Sequence, residues 1–226
     1  MDVEFAPGFE AFGIRAFTTT RQAGDFAWQS TEPSHQVFDR WQKLRAFART
    51  QRLVSAHQVH GATVLTHGTG WEGMLRAGDA DGHLATARGT AMAVSLADCV
   101  PVFIGHPSGA SAVVHSGWRG TAADIAGSAV DAMVRVGFAA HELLVHCGPA
   151  ICGACYVVGP EVYGQLTAKT VDVATAVDLR RLIAASLERR GVPQVSISRW
   201  CTRCDNTRFF SHRCGDAGRQ LGVIAA

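Results

Sequence analysis

At 226 residues, 47% of them hydrophobic, the chain can bury a real core, and we expect one domain over residues 1–226 rather than two small ones. The formal net charge is only +2 and the basic residues are scattered, which excludes the concentrated positive surface of a nucleic-acid binder. No apolar run reaches membrane-spanning length and the N-terminal MDVEFAPGFE is acidic where a secretory leader would carry Lys or Arg, so a cytoplasmic location without a membrane partner is expected.

Residues 12–20, FGIRAFTTT, alternate enough to predict a strand, which delivers Thr20-Arg21 to a Gly-containing loop. Arg21 is a candidate anion ligand, and an exposed loop arginine fits the same pattern. From Ser34 to Gln51, Val37, Phe38, Trp41, Leu44, Phe47 and Ala48 recur at helical spacing behind a serine able to cap, predicting an amphipathic helix with Trp41 and Phe47 in the core. Two short strand-like runs follow, 53–59 and 62–67, interrupted by His60-Gly61, which reads as a bulge or bend aiming His60 inward. Residues 66–82, THGTGWEGMLRAGDADG, show no clear periodicity and predict a surface segment. Asp81 within it reads either as a turn residue or as a carboxylate that orients a neighbouring histidine.

Residues 90–120 carry three apolar runs, 91–97, 100–105 and 111–115, bounded by Asp, Pro or Gly and predicting buried strands. The first ends at Asp98-Cys99 and the third at His115; with His60 they make a possible three-ligand site that leaves a fourth tetrahedral position open. A satisfied histidine and a small buried thiol are the plainer readings of His60 and Cys99. Seven cysteines, an odd number in a chain too long to need disulfide staples, favour reduced thiols and metal ligation. After His115, Gly117-Trp118-Arg119-Gly120 predicts a tight turn into a helix over 121–136, whose start with Arg119 makes an anion pocket or, alternatively, a packed turn filled by Trp118.

Residues 142–147 and 194–199 predict strands, and 178–190 a helix stopped by Gly191. Cys152-Gly-Ala-Cys155 and Cys201-Thr-Arg-Cys204 share the spacing of a metal knuckle; the long gap between the pairs neither demands nor excludes a common ion. Phe209 or Phe210 is a candidate to stack on an aromatic ligand, although core packing is the stronger claim on one of them, and Arg213 is a candidate anion contact.

QVHG, ADCVP, HSGWRG, CGPAICGACYVVG, CT, FFSHR and GR, in that order, resemble the YfiH-type laccase-domain family from about His57 onward. The resemblance implies an α+β fold, a layered α/β/β/α sandwich with mixed sheets, and zinc held by His60, Cys99 and His115. It also implies a purine nucleoside phosphorylase acting on adenosine, inosine or methylthioadenosine with phosphate, with associated adenosine deaminase activity. Arg21, Arg119, Phe210 and Arg213 are then the substrate contacts, with Asp81 behind the metal ligands. Other family labels keep two alternatives open: a cysteine- or zinc-dependent amide hydrolase editing peptidoglycan precursors, and a copper polyphenol oxidase. Copper could substitute at a His/His/Cys set, yet no His-x-His occurs, as paired copper ligands would require. A non-enzymatic zinc protein is the remaining alternative. The chain departs from the family in its N-terminal third: the loop reads QAGDFAWQSTEPS, the helix carries Asp39-Arg40, and the only asparagine is Asn206. Oligomeric state is not encoded in any motif.

Overall fold

The computed structural model describes residues 1–226. In chain order the strands are β1 (Val3–Phe5), β2 (Arg15–Thr19), β3 (Arg52–His57), β4 (Val64–His67), β5 (Gly73–Asp79), β6 (Gly82–Ala85), β7 (Thr90–Leu96), β8 (Val100–Gly105), β9 (Ser111–Ser116), β10 (Leu144–Cys147), β11 (Val157–Val158), β12 (Thr175–Ala176), β13 (Gln194–Ile197) and β14 (Gln220–Ala225). The helices are α1 (Ser34–Ala48), α2 (Trp118–Ala122), α3 (Ile125–Arg135), α4 (Pro160–Thr167) and α5 (Leu179–Arg189).

Two six-stranded sheets dominate, ordered β1-β2-β14-β7-β3-β5 and β13-β10-β8-β9-β6-β4. Both are mixed: β3 pairs parallel with β5 and β7, and β10–β13 and β4–β6 are parallel, whereas the remaining pairs are antiparallel. The layering follows from the two-residue period of the strands. Along β7, Met92, Val94 and Leu96 face the second sheet and join Phe103, Val113 and Ile224, while Ala91 and Ala93 face Trp41 and Leu44 of α1. Along β8, Val100, Val102 and Ile104 turn the other way, onto Ile125, Val130 and Met133 of α3 and Leu179, Ile183 and Leu187 of α5. The result is the expected α+β sandwich of helix, sheet, sheet and helix layers.

Three elements differ from expectation. Residues 66–82 are not featureless, because Gly73–Asp79 forms β5, an edge strand hydrogen-bonded only to β3 and half open to solvent, so burial imposes no alternation on it. The helix expected over 121–136 is broken in two: Asp124 takes a left-handed conformation (φ 55°), and its carboxylate accepts the Gly127 N–H while pairing with Arg190. α1 begins at Ser34 itself with Pro33 before it, so Ser34 makes no cap bond, and it ends at Ala48 where Arg49 turns left-handed. Strands β1, β6, β11, β12 and β14 and helix α4 form where the sequence pattern predicts no element.

Candidate metal centre

Each of the three expected ligands lies where the chain leaves a strand. β3 ends at His57 in the first sheet and β4 starts at Val64 in the second, so residues 58–63 cross between sheets. Gln58 anchors the crossing by accepting the Ser95 N–H (2.6 Å) and donating to the Ser95 carbonyl (2.9 Å), acting as a side-chain extension of the sheet. Next, the N–H groups of Val59, His60 and Gly61 all donate to the Asp81 carboxylate, at 3.1, 3.0 and 2.7 Å. His60 adopts a left-handed backbone (φ 60°), a conformation costing about 1–2 kcal/mol for a residue with a Cβ, and the convergent bonds to Asp81 offset that cost.

Cys99 lies on the second crossing, from β7 in the first sheet to β8 in the other. Asp98 before it is also left-handed (φ 79°) and is held on three sides: Thr202 Oγ1 donates to Oδ1 (2.6 Å), the Arg213 N–H donates to Oδ2 (2.7 Å), and the Ile151 N–H donates to its carbonyl (3.0 Å). His115 lies near the end of β9 and is buried; its N–H donates to the Asp81 carbonyl (2.7 Å) and its Nδ1 pairs with Asp81 Oδ1 (2.8 Å). That last bond leaves Nε2 as the free ligand atom. Asp81, itself fully buried, therefore fixes both imidazole-bearing segments at once, and the orienting reading of this residue fits where a simple turn does not.

One nitrogen of each histidine and the Cys99 Sγ lie within 4.8 Å of one another, and the two rings meet edge to face with centroids 4.8 Å apart. Zinc bonds of about 2.0 Å to nitrogen and 2.3 Å to sulfur set ligand separations of roughly 3.3–3.5 Å in a tetrahedral site of this donor set, which falls inside the span of these three atoms. Gly117 makes room for the group: a Cβ there would lie 2.9 Å from Cys99 Sγ and 3.2 Å from His60 Cδ2. His60 is solvent-exposed, which leaves the open side of the site toward the cavity.

The electrostatics suit a cation. Burial opposes charge on Cys99, but His115 and then His60 outweigh it and bring the thiol down to about 6. Burial likewise opposes charge on His115, and Cys99 with Asp81 overcomes it, raising the imidazole to about 9. Asp81 stays below the usual carboxylate range because the bonds from His115, Gly61 and Val59 outweigh its burial.

A cavity of about 290 Å³ opens beside His60 and Cys99, walled by Trp118, Arg119, Tyr156 and Arg213. The Arg119 guanidinium lies 4.3 Å from the centroid of the Trp118 ring and forms no ion pair. Arg213 lies over the Tyr156 ring (4.9 Å) and donates to the Val157 carbonyl (3.2 Å). Arg21 and Phe210, expected at the same site, are not brought there. The Arg21 guanidinium donates to Asp216 (2.6 Å) and to the carbonyls of Asn206 (3.0 Å) and Phe209 (3.2 Å), and it covers the buried Phe210 ring at 4.4 Å. Arg21 thus braces the loop that carries Arg213, and neither it nor Phe210 faces the cavity. Tyr156, Asp98 and His212 line the cavity without having been singled out; the Asp-Cys pair at a strand end was the one signal available for Asp98.

The family model described as multi-copper polyphenol oxidoreductase laccase matches residues 16–226. A purine nucleoside phosphorylase of Streptomyces coelicolor is 35% identical over 181 residues, covering 76% of this chain and 74% of that protein. The purine nucleoside phosphorylase YlmD of Geobacillus stearothermophilus is 34% identical over 197 residues, 77% of this chain and 72% of its own length. The crystal structure of YlmD superposes with a TM-score of 0.89 over 97% of this chain and 93% of that one, at 29% identity. An adenosine deaminase from an unknown prokaryotic organism is 35% identical over 157 residues, 63% of this chain and 58% of that protein.

Proposed function

We propose, from the premise that the chain belongs to the multi-copper polyphenol oxidoreductase laccase family, that it is a zinc-dependent purine nucleoside phosphorylase with an associated adenosine deaminase activity. The observation that carries the reading is the convergence of His60, Cys99 and His115 beside a cavity lined by His60, Cys99 and an arginine, Arg119, free of any ion pair. Relatives named purine nucleoside phosphorylase support the reaction class. His60 and His115 through imidazole nitrogen and Cys99 through thiolate would hold the zinc, whose Lewis acidity lowers the pKa of water to about 7.

The chain's own groups divide the remaining work. Phosphorolysis requires phosphate beside the ribose C1′ as positive charge develops there, so Arg119 and Arg213 hold and orient the anion. Trp118 and Tyr156 supply the flat apolar walls that a purine needs. Asp81 holds His115 in one tautomer and keeps the 58–63 crossing in place, so the site is preorganised before substrate arrives. A multi-copper oxidase reaction is disfavoured by the donor set: the two groups of converging side chains are one His/Cys/His triple and one of four cysteines, with no multi-histidine cluster.

The test is incubation of zinc-loaded protein with inosine or adenosine and inorganic phosphate. Ribose 1-phosphate and free base are expected, with inosine appearing from adenosine when phosphate is omitted. Absence of ribose 1-phosphate would overturn the phosphorylase reading. A second reading draws on the same residues: without metal, Cys99, His115 and Asp81 form a thiolate, imidazolium and carboxylate series suited to amide hydrolysis. Chelation separates the two, since a cysteine hydrolase keeps its activity and a zinc enzyme loses it.

A further inference from the structure

Outside this site the chain brings together a second set of donors. Cys152, Cys155, Cys201 and Cys204 come from two segments far apart in sequence, yet their four sulfurs lie within 4.8 Å of one another, and none is in a disulfide. The geometry points to a structural zinc ion held by these four thiolates, independent of the ion proposed at His60, Cys99 and His115.

Both segments are built as metal knuckles. In the first, Cys152 and Cys155 close a turn in which the Cys155 and Tyr156 N–H groups donate to the Cys152 carbonyl, both at 3.0 Å. In the second, the Cys204 N–H donates to the Cys201 sulfur at 3.4 Å, and the Cys152 N–H reaches the same sulfur from the opposite knuckle at 3.2 Å. Backbone N–H groups aimed at sulfur favour thiolate over thiol. A parallel bridge between Ala150 and Cys201 sets the segments side by side, and Arg203 reaches across to the Cys155 carbonyl at 3.5 Å. Across the two knuckles the Cys155 and Cys204 sulfurs lie 3.4 Å apart. A disulfide needs about 2.05 Å, whereas zinc–sulfur bonds of about 2.3 Å place tetrahedral sulfurs roughly 3.8 Å apart. The observed separation lies near the second value.

Four sulfur ligands close the coordination sphere, so this ion would stabilise the fold and do no chemistry. Binding converts four thiols to thiolates and releases four protons to solvent, leaving a centre of net charge −2 that the Arg203 side chain partly offsets. Its position gives the ion a purpose. Ile151, before the first knuckle, donates to the Asp98 carbonyl, Tyr156 immediately follows that knuckle, and Thr202 inside the second donates to the Asp98 carboxylate. Crosslinking the knuckles therefore secures one wall of the cavity and the strained residue that presents Cys99.

The experiment is metal analysis of the full-length chain after zinc loading and removal of loosely bound ion. Two zinc ions per chain are expected in the wild type. One should remain in His115→Ala, and one in the double variant Cys155→Ser with Cys204→Ser. Alkylation footprinting of the wild type gives a second readout that does not depend on a variant folding. Cys204 and Cys214 are both exposed, so ligation should slow alkylation of Cys204 by at least about tenfold relative to Cys214. Chelation should remove that difference. A single zinc that is lost in His115→Ala, iron in place of zinc, a Cys155–Cys204 disulfide by intact mass, or equal alkylation of Cys204 and Cys214 in zinc-loaded protein would each overturn the assignment. Loss of nucleoside activity with both ions in place would instead count against the proposed reaction.

Discussion

Replacing Asp81 by Asn probes the organisation of the candidate metal centre with almost no change in volume. The carboxylate accepts four bonds: His60 N–H and His115 Nδ1 at one oxygen, Val59 N–H and Gly61 N–H at the other. An amide has only one acceptor oxygen, so its NH2 group faces either two backbone N–H groups or the His60 N–H and His115 Nδ1, and the imidazole can accept from it only by carrying its proton on Nε2, the ligand atom. Each donor left without an acceptor costs about 1–3 kcal/mol, so the native 58–63 crossing loses about 1–6 kcal/mol relative to other conformations. Part should appear as a lower Tm, and part as loss of preorganisation at the site. Removing a partner that orients a metal-bound histidine lowers affinity about 10–100-fold, which is about 1.4–2.8 kcal/mol. The assay is zinc competition against a chromophoric chelator, with thermal unfolding followed in parallel with and without zinc. An Asp81→Asn protein that binds zinc as tightly as wild type and unfolds at the same temperature would refute the claim that this carboxylate holds the ligands.

Gly117→Ala should weaken zinc binding at the His/Cys/His site by an overpacking cost of about 1–3 kcal/mol, because the new methyl meets Cys99 and His60 while the backbone (φ −78°) accepts alanine; unchanged affinity in the same competition assay would show the pocket to be looser than the distances imply. Arg119→Ala should raise the KM for phosphate about 10–100-fold, the loss expected of a charge-assisted contact of about 1.5–3 kcal/mol, with zinc content unchanged; a KM within twofold of wild type would remove Arg119 from the anion site. Stability should fall as pH drops below about 6.5, because burial, with the charge of His67 adding to it, holds His83 down to about 3, and burial holds His146 down to about 4. The unfolded chain takes up protons that the folded chain refuses, so each histidine removes about 1.6 kcal/mol between pH 6.5 and pH 5. Urea unfolding at the two pH values checks this, and equal unfolding free energies would contradict it.

Cys99 and His115 were legible because they end apolar runs whose punctuation is local, and His60 because a glycine follows it. Distances across the fold were not legible. Asp81 reads as a turn residue until its partners, 20 to 34 residues away, are seen to converge on it. Arg21 reads as available because it opens a Gly-containing loop, whereas Asp216, its partner, lies 195 residues further on. The same limit applied to the cysteines: each knuckle announces itself by spacing, whereas the 3.4 Å approach between them exists only after the Ala150–Cys201 bridge forms. The helix over 121–136 failed for a different reason, since Asp124 is a tolerable helix residue whose side chain finds a better arrangement as a cap held by Arg190.

Strand β14 is the final element in sequence and sits in the interior of the first sheet, between β2 and β7. During synthesis, β2 and β7 therefore wait with unpaired edges until residues 220–225 leave the ribosome, long after α1 and the β8–β9 hairpin could have formed. Closure of that sheet joins segments about two hundred positions apart, the kind of contact that slows folding and leaves sticky edges exposed meanwhile. Released chains truncated just short of Gln220 should accordingly remain protease-sensitive in the first sheet, and restoring residues 220–225 should convert them to resistance in a single step.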